Sequence, residues 1–290
     1  MNKHIKSFLP GQCLCLVLPL LLANSSVSLN ACTLWAAAGD DASGGTIISK
    51  NRDWKPDHTQ VLRMHRSRKG YDYFGLYAEG NNEPGLKAGV NERGLTVITA
   101  TAGAISKATR DAQPGKGSLS TSLLADYASC DEVLANQAKV FANRRPTFLM
   151  MADRRKVLML EVGLKGRYAV KVVASGTLAH SNHYLEPSLA EFNLTVGASS
   201  TARLDRISHL LASSPKPFDT ASFAAMSKDQ HDGPNNSRWR TGQGSRTLSS
   251  WIVETPAQGA PKLRVLMANP GKPEQMQTFT LDKQFWKTME

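Results

Sequence analysis

From residue 32 onward the chain runs in short apolar or β-branched stretches separated by turn-forming clusters. CTLWAAA alternates bulky and small side chains, GDDASGG supplies a turn, and TIISKNRDW returns to β-branched character, a pattern that predicts a hairpin. Further strands are predicted at QVLRMHR, YDYFGLYA, GLKAGV and GLTVITATA. The last two form a hairpin around NERG, where Gly94 suits the positive φ of a tight turn. Residues 118–143 carry Leu123, Leu124, Tyr127, Val133, Leu134 and Val140 near helical spacing and predict a helix. Strands resume at TFLMMAD, KVLMLEVG and YAVKVVA. Beyond HSNHYL, the stretch SSTARLDRISHLLAS puts Leu204, Ile207, Leu210 and Leu211 on one helical face. A Ser/Thr cap is expected in front of it, with Arg203 and Arg206 on its polar face. Residues 228–246 have the Gly, Asn and Ser content of a loop, and TLSSWIVET and KLRVLMAN close the chain as strands. Hairpin-connected strands with helices grouped between them imply an α+β fold of antiparallel sheets with helices packed on them. No internal repeat or linker divides this region, so residues 32–290 are expected to form one domain.

The first 31 residues follow a different pattern. Lys3 and Lys6 precede an apolar run over residues 13–23, which gives way to the small polar stretch NSSVSLNA. That is the order of a secretory signal, and the run is shorter than the roughly 20 residues needed to span a bilayer. Export to a periplasm or beyond is therefore expected, with residues 1–31 removed and no transmembrane helix. Composition is ordinary for a globular protein, 41% hydrophobic and 20% charged. The formal charge of +11 is spread along the chain in short clusters such as MHRSRKG and ADRRK. No arginine-aromatic strip accompanies it, so a solvated basic surface is favoured over nucleic-acid binding, while attraction to anionic substrates or an anionic membrane face stays open.

Cys13 and Cys15 leave with the leader, which leaves Cys32 and Cys130. If Cys32 is chemically active it stays unpaired, and Cys130 is expected as a buried helix residue. Removal of the leader up to Ala31 would give Cys32 a thiol and a free α-amine together. Such an amine titrates near pH 7.7 to 8 and can take the proton of the neighbouring thiol, so no separate histidine is needed. The reaction class is then acyl transfer: attack on an amide, a thioester, and hydrolysis or transfer to an amine. Two other routes compete. LNAC resembles a lipobox with Leu29 at −3, which would make Cys32 a lipid anchor of a binding protein. Cleavage after Ala23 with self-removal of NSSVSLNA would expose Cys32 by another path.

ACT after the leader, with KNRDW about twenty residues on, resembles the N-terminal-nucleophile cysteine hydrolases. That branch includes choloylglycine hydrolases, penicillin V acylases and the acyl-CoA:6-aminopenicillanic acid acyltransferases. AGVNERGLTV is similar to the family's Asn-Glu-x-Gly-Leu turn, HSNHYL to its Thr-Asn-His segment, and SSTARLDRISHLL to its Ser-x-x-Arg-x-x-Arg helix. SKDQHDGPNNSRWR with TLSSWIVE resembles the acyltransferase-like subgroup. The resemblance implies a four-layer αββα sandwich of two antiparallel sheets flanked by helices. It also implies hydrolysis of linear amide C–N bonds in N-acylated small molecules, without metal or organic cofactor. Carried over position by position, it makes Cys32 the nucleophile and Asp53 the group that hydrogen-bonds its amine. Asn182 would hold the oxyanion or the amine, and Arg203 would support the site electrostatically. Two positions depart from the family pattern: Lys50 stands where many relatives have arginine, and VITATAG lacks the usual second oxyanion asparagine. Thr99, Thr101 or a backbone amide is left as its substitute. An acyltransferase using the same thioester is a close variant, and since related enzymes are often multimers a homo-oligomer stays open. His180 and His183 have no carboxylate or thiol cluster in sequence to make a metal site, and Ser213 with Lys216 is a chance S-x-x-K match.

Overall fold

A computed structural model describes residue 1 and residues 31–80, 83–115 and 117–289. The leader therefore lies outside the described residues, apart from Met1 and Ala31. Two antiparallel sheets stack face to face. The first contains β1 (Cys32–Gly39), β2 (Gly45–Trp54), β10 (Gly176–His180), β11 (Arg246–Thr255), β12 (Lys262–Met267) and β13 (Gln275–Thr280), in the order β10-β1-β2-β11-β12-β13. The second is a meander in chain order: β3 (His58–His65), β4 (Tyr73–Gly80), β5 (Gly85–Asn91), β6 (Thr96–Ala100), β7 (Thr147–Ala152), β8 (Val157–Val162) and β9 (Tyr168–Val173).

Strand alternation sorts the side chains into three apolar layers. Leu34, Ala36, Ile48 and Val253 of the first sheet meet Phe74, Val90, Ile98 and Met150 of the second between the sheets. Trp35, Ala37, Ile47 and Ile252 turn outward, against Ile207 and Leu211 of α5 (Ala198–Ser213) and Phe223 and Met226 of α6 (Thr220–Ser227). On the far side, Val97, Leu149, Met151 and Leu158 pack under α2 (Leu119–Asp126), α3 (Cys130–Ala135) and α4 (Gln137–Phe141). The result is the expected α+β, four-layer αββα sandwich. Short helices α1 (Lys107–Asp111), α7 (Gly233–Asn236) and α8 (Lys283–Thr288) and two 3₁₀ helices, at Asp40–Ala42 and Pro187–Phe192, complete the described elements.

The turn at NERG forms as its sequence predicts. Gly94 takes φ +88°, and Asn91 accepts through Oδ1 from the amides of Arg93 and Leu95. Its Nδ2 donates to the carbonyls of Leu124 and Tyr127, tying β5 and β6 to the end of α2. Four local expectations are corrected. The helix expected over 118–143 is three short helices, because Ser129 leaves the helical conformation to cap α3, accepting from the Glu132 amide, and Asn136 separates α3 from α4. The residue before α5 is Gly197, with no side-chain cap; Ser199, Ser200 and Thr201 lie inside its first turn. The buried stripe of α5 is Ser200, Arg203, Ile207 and Leu211, so Arg203 lies on the inward face. Finally, β10 and β13 join the strands expected from sequence. Both lie at sheet edges and lack a strong apolar alternation, five of the six β13 residues being exposed.

Candidate active site

The site is built where β1 begins. Cys32 pairs directly with Arg52, and Leu34 with Lys50. Residues opposite each other on neighbouring strands share a face, so the Cys32 thiol, Lys50 and Arg52 all point between the sheets. Thr33, Asn51 and Asp53 point the other way, toward α5 and α6. Cys32 opens into a cavity of about 690 Å³ whose near wall includes Lys50, Arg52, Thr99 and Thr101.

The structure brings Cys32, Asn182 and Arg203 into one hydrogen-bonded group. The Cys32 amide donates to Asn182 Oδ1 at 2.8 Å. Arg203 Nη2 donates to the same Oδ1 at 3.0 Å, while its Nη1 donates to the Cys32 carbonyl and to Thr33 Oγ1, both at 2.7 Å. Asn182 Nδ2 donates to the Thr101 carbonyl at 2.9 Å, linking the segment after β10 to the end of β6. Arg203 is wholly buried, and burial lowers its pKa to about 10 while the charge of Asp53 holds it up, so it stays cationic at neutral pH.

Asp53 sits behind this group, opposite Thr247 on β11. It is fully buried; Oδ1 accepts from Thr247 Oγ1 at 2.7 Å, and Oδ2 has no partner among the described residues. Burial raises its pKa, opposed by the charges of Arg203, Arg240 and Arg238 and by the Thr247 hydrogen bond. The Cys32 amide has one N–H to donate, and it donates it to Asn182 Oδ1 rather than to Asp53.

Lys50 crosses the gap between the sheets. Its ammonium donates to the Thr99 carbonyl, to the Lys87 carbonyl at 3.1 Å and to Thr99 Oγ1 at 3.3 Å. Burial lowers its pKa to about 8; the Cys32 thiol raises it, Arg52 lowers it, and Asp53 raises it.

One further device escaped the sequence reading. Glu161 of β8 receives His180 Nε2 at 3.0 Å and the amides of Leu185 at 3.0 Å and Glu186 at 3.3 Å, all on Oε1. A single buried carboxylate thus ties down both ends of the segment that carries Asn182. The signal in the sequence is an acid inside VLMLEV, a run whose six residues are all buried. Hydrogen bonds to a charged acceptor are worth about 1.5–3 kcal/mol each, so Glu161→Gln is expected to cost about 3 kcal/mol of stability. Urea unfolding of the variant against the parent checks it. Among the described residues no cluster of three His, Cys, Asp or Glu side chains has metal-site geometry, and no helix is long and apolar enough to cross a membrane. Cys32 and Cys130 are both buried and unpaired with each other.

Residues 40–272 match the family model of acyl-coenzyme A:6-aminopenicillanic acid acyl-transferase. This chain belongs to that family. The acyl-transferase family match takes in Asp53, Asn182 and Arg203, and it begins after β1. Two solved structures, a cysteine-to-alanine mutant and an arginine-to-leucine variant of conjugated bile acid hydrolase from Clostridium perfringens, share the fold. They superpose with TM-scores of 0.53 and 0.56 at 13% and 14% identity, each covering 89% of this chain and 95% of the other. The Caenorhabditis elegans ortholog of N-acylethanolamine-hydrolyzing acid amidase matches at TM-score 0.46 and 12% identity, over 78% of this chain and 93% of that one. No curated protein sequence matches.

Proposed function

We propose that this acyl-transferase family member is an exported amidase that cleaves linear C–N amide bonds of N-acylated small molecules through a thioester on Cys32. The observation that carries it is the position of Cys32. Its thiol opens into the cavity, and its backbone nitrogen is held by Asn182 Oδ1, immediately after a segment patterned as a leader. Removal of residues 1–31 converts that nitrogen into an amine, which takes the thiol proton. The thiolate attacks the amide carbon, the tetrahedral oxygen is met by N–H donors, and the ammonium returns its proton to the departing nitrogen. Water, deprotonated by the same amine, then hydrolyses the thioester. Asp53, with one oxygen unpartnered among the described residues, is assigned to orienting the amine. Arg203 fixes the Cys32 carbonyl and Asn182 together. The family's name describes acyl transfer, and an amine taking the place of that water would give the transferase variant.

The test is an intact mass of the exported protein. A chain starting at unmodified Cys32, which then gains the mass of the acyl group on brief exposure to an N-acyl amide, is the expected result. A diacylglyceryl group on Cys32, or residues still attached before it, removes the amine and overturns the mechanism in favour of a lipid-anchored binding protein.

Lys50 gives this reading a pH signature. Its ammonium lies beside the thiol and favours the thiolate, and that charge is lost as pH rises through about 8. The rate is therefore expected to fall above pH 8. Lys50→Arg keeps a guanidinium charged throughout, so its alkaline limb should move up by at least about one pH unit. A pH profile of kcat/KM for both proteins checks it.

A further inference from the structure

The polar stretch before β11 folds back over the face of β2 that carries Asp53. Asn51, on the same face, fastens it: Nδ2 donates to the Ser227 carbonyl at 2.8 Å and to the Arg238 carbonyl at 2.7 Å. Arg238 is wholly buried, its guanidinium 3.9 Å from the Trp35 ring centroid and its side-chain nitrogens without hydrogen bonds among the described residues. Arg240 then joins Thr247 of β11 at two points. Its amide donates to Thr247 Oγ1 at 2.8 Å, and its carbonyl accepts from the Thr247 amide at 3.0 Å.

Thr247 stands opposite Asp53 only because β11 carries a bulge. Ser249 pairs with Arg52, so regular pairing would set Leu248 against Asp53; the register shifts between Thr247 and Ser249, and Thr247 faces it instead. A bulge adds one residue to a strand and re-aims the side chains beside it. Here it exchanges an apolar group for a hydroxyl at a fully buried carboxylate. That hydroxyl has one proton to give. Two oxygens are within its reach, Asp53 Oδ1 at 2.7 Å and the Arg238 carbonyl at 3.3 Å. The carbonyl already receives Asn51 Nδ2, and the carboxylate oxygen is the nearer and stronger acceptor, so the proton goes to Asp53. Because the Arg240 amide occupies a lone pair of Oγ1, the hydroxyl is held from both sides.

We infer that Thr247 is a positioning residue for the reaction: anchored by Arg240, its hydroxyl fixes the Asp53 carboxylate through Oδ1 and leaves Oδ2 to be presented to the Cys32 amine. This rests on the amidase reading above. Oδ2 is the oxygen without a partner among the described residues. Thr247 shares the face of Asp53, away from the thiol, and acts through that carboxylate alone. The charged groups acting on Asp53 are Arg203 of α5, Arg240 and Arg238 of the folded-back stretch, and Lys50 and Arg52 on its own strand. Burial raises the Asp53 pKa, while Arg203, Arg240, the Thr247 hydrogen bond and Arg238 lower it. Without the hydroxyl, Asp53 keeps its proton to higher pH, and the acid limb of the rate moves up with it.

The test compares the full exported protein with Thr247→Val, Thr247→Ala and Thr247→Ser. The substrate is whichever of N-decanoylglycine, N-decanoylethanolamine and decanoyl p-nitroanilide the parent turns over fastest. Rates are taken per active site counted by the acyl-enzyme mass, so a poorly folding variant still reports on the proposal. Valine and alanine should lower kcat by about 10–100-fold with KM within about twofold, and should move the acid limb of kcat to higher pH. Serine restores the donor and should stay within about threefold of the parent. A valine variant as fast as the parent per site, or a slow one whose acid limb has not moved, overturns the positioning role and leaves the amidase reading standing. A serine variant as slow as valine overturns it too, because the methyl group and not the hydroxyl would then matter. A parent that forms no thioester with any of the three substrates overturns the amidase reading, and this proposal with it.

Discussion

Cys32→Ala is expected to abolish amide hydrolysis, with a loss of about 10⁴-fold or more in kcat. The thiol lies on the shared face of β1 and β2 beside the cavity, and Lys50 and Arg52, both on the neighbouring strand β2, are cations that stabilise a thiolate. Cys32→Ser keeps a proton-bearing atom in place, but a hydroxyl is far harder to deprotonate with an amine titrating near pH 8, so its loss should approach that of alanine. Neither change should unfold the protein. The side chain is small, and Arg203 and Asn182 bind the backbone of residue 32 rather than its sulfur. Coincident urea transitions for parent and variants, alongside loss of the acyl-enzyme mass, would separate chemistry from folding. A Cys32→Ala protein that hydrolyses at even a tenth of the parent rate would place the nucleophile elsewhere.

The parts of this molecule set by local alternation were legible in the sequence. The β1–β2 hairpin is one: Cys32, Leu34 and Ala36 face one way, Thr33 and Trp35 the other, and the turn residues between them leave little choice of register. The Asn91–Leu95 turn is another, since Asn91 satisfies the turn's amides with its own side chain. Arg203 shows where local pattern fails. Read as a helix face, α5 assigns it to the polar side with Arg206. The ends of β1 and β10 instead present three oxygen acceptors, Cys32 O, Thr33 Oγ1 and Asn182 Oδ1, and these make burying a guanidinium favourable. Arg206, one turn on, stays partly exposed and pairs with Asp229. No one-dimensional periodicity separates the two arginines. The same holds for Asp53, whose partner Thr247 lies 194 positions away, and for Glu161, whose use depends on a loop from the other sheet. β13 was invisible because an exposed edge strand needs no apolar alternation to pair with β12.

Asn182→Ala is expected to lower kcat by about 10²–10³-fold, and Asn182→Asp shows which half of the amide is responsible. Both ends of this side chain are committed. Oδ1 accepts from the Cys32 nitrogen and from Arg203, while Nδ2 spends one proton on the Thr101 carbonyl and keeps a second. Alanine removes every one of these bonds and leaves the Arg203 Nη2 group buried without its acceptor, so it should also cost about 2 kcal/mol of stability. Aspartate is sterically equivalent and still accepts from the Cys32 amine and from Arg203, which it would bind more strongly. It has no N–H to give to a tetrahedral oxygen, and it sets a carboxylate against the Thr101 carbonyl. If the side chain serves the oxyanion, Asn182→Asp should be as slow as alanine while losing less stability than alanine does, because the contacts at Oδ1 are kept. If it serves only to hold the amine, aspartate should retain activity within about threefold, and the donor to the oxyanion must then come from Thr101 or a backbone amide beside it. Single-turnover rates of acylation, with urea unfolding of each variant in parallel, distinguish the two, because holding the amine requires an acceptor and stabilising the oxyanion requires a donor.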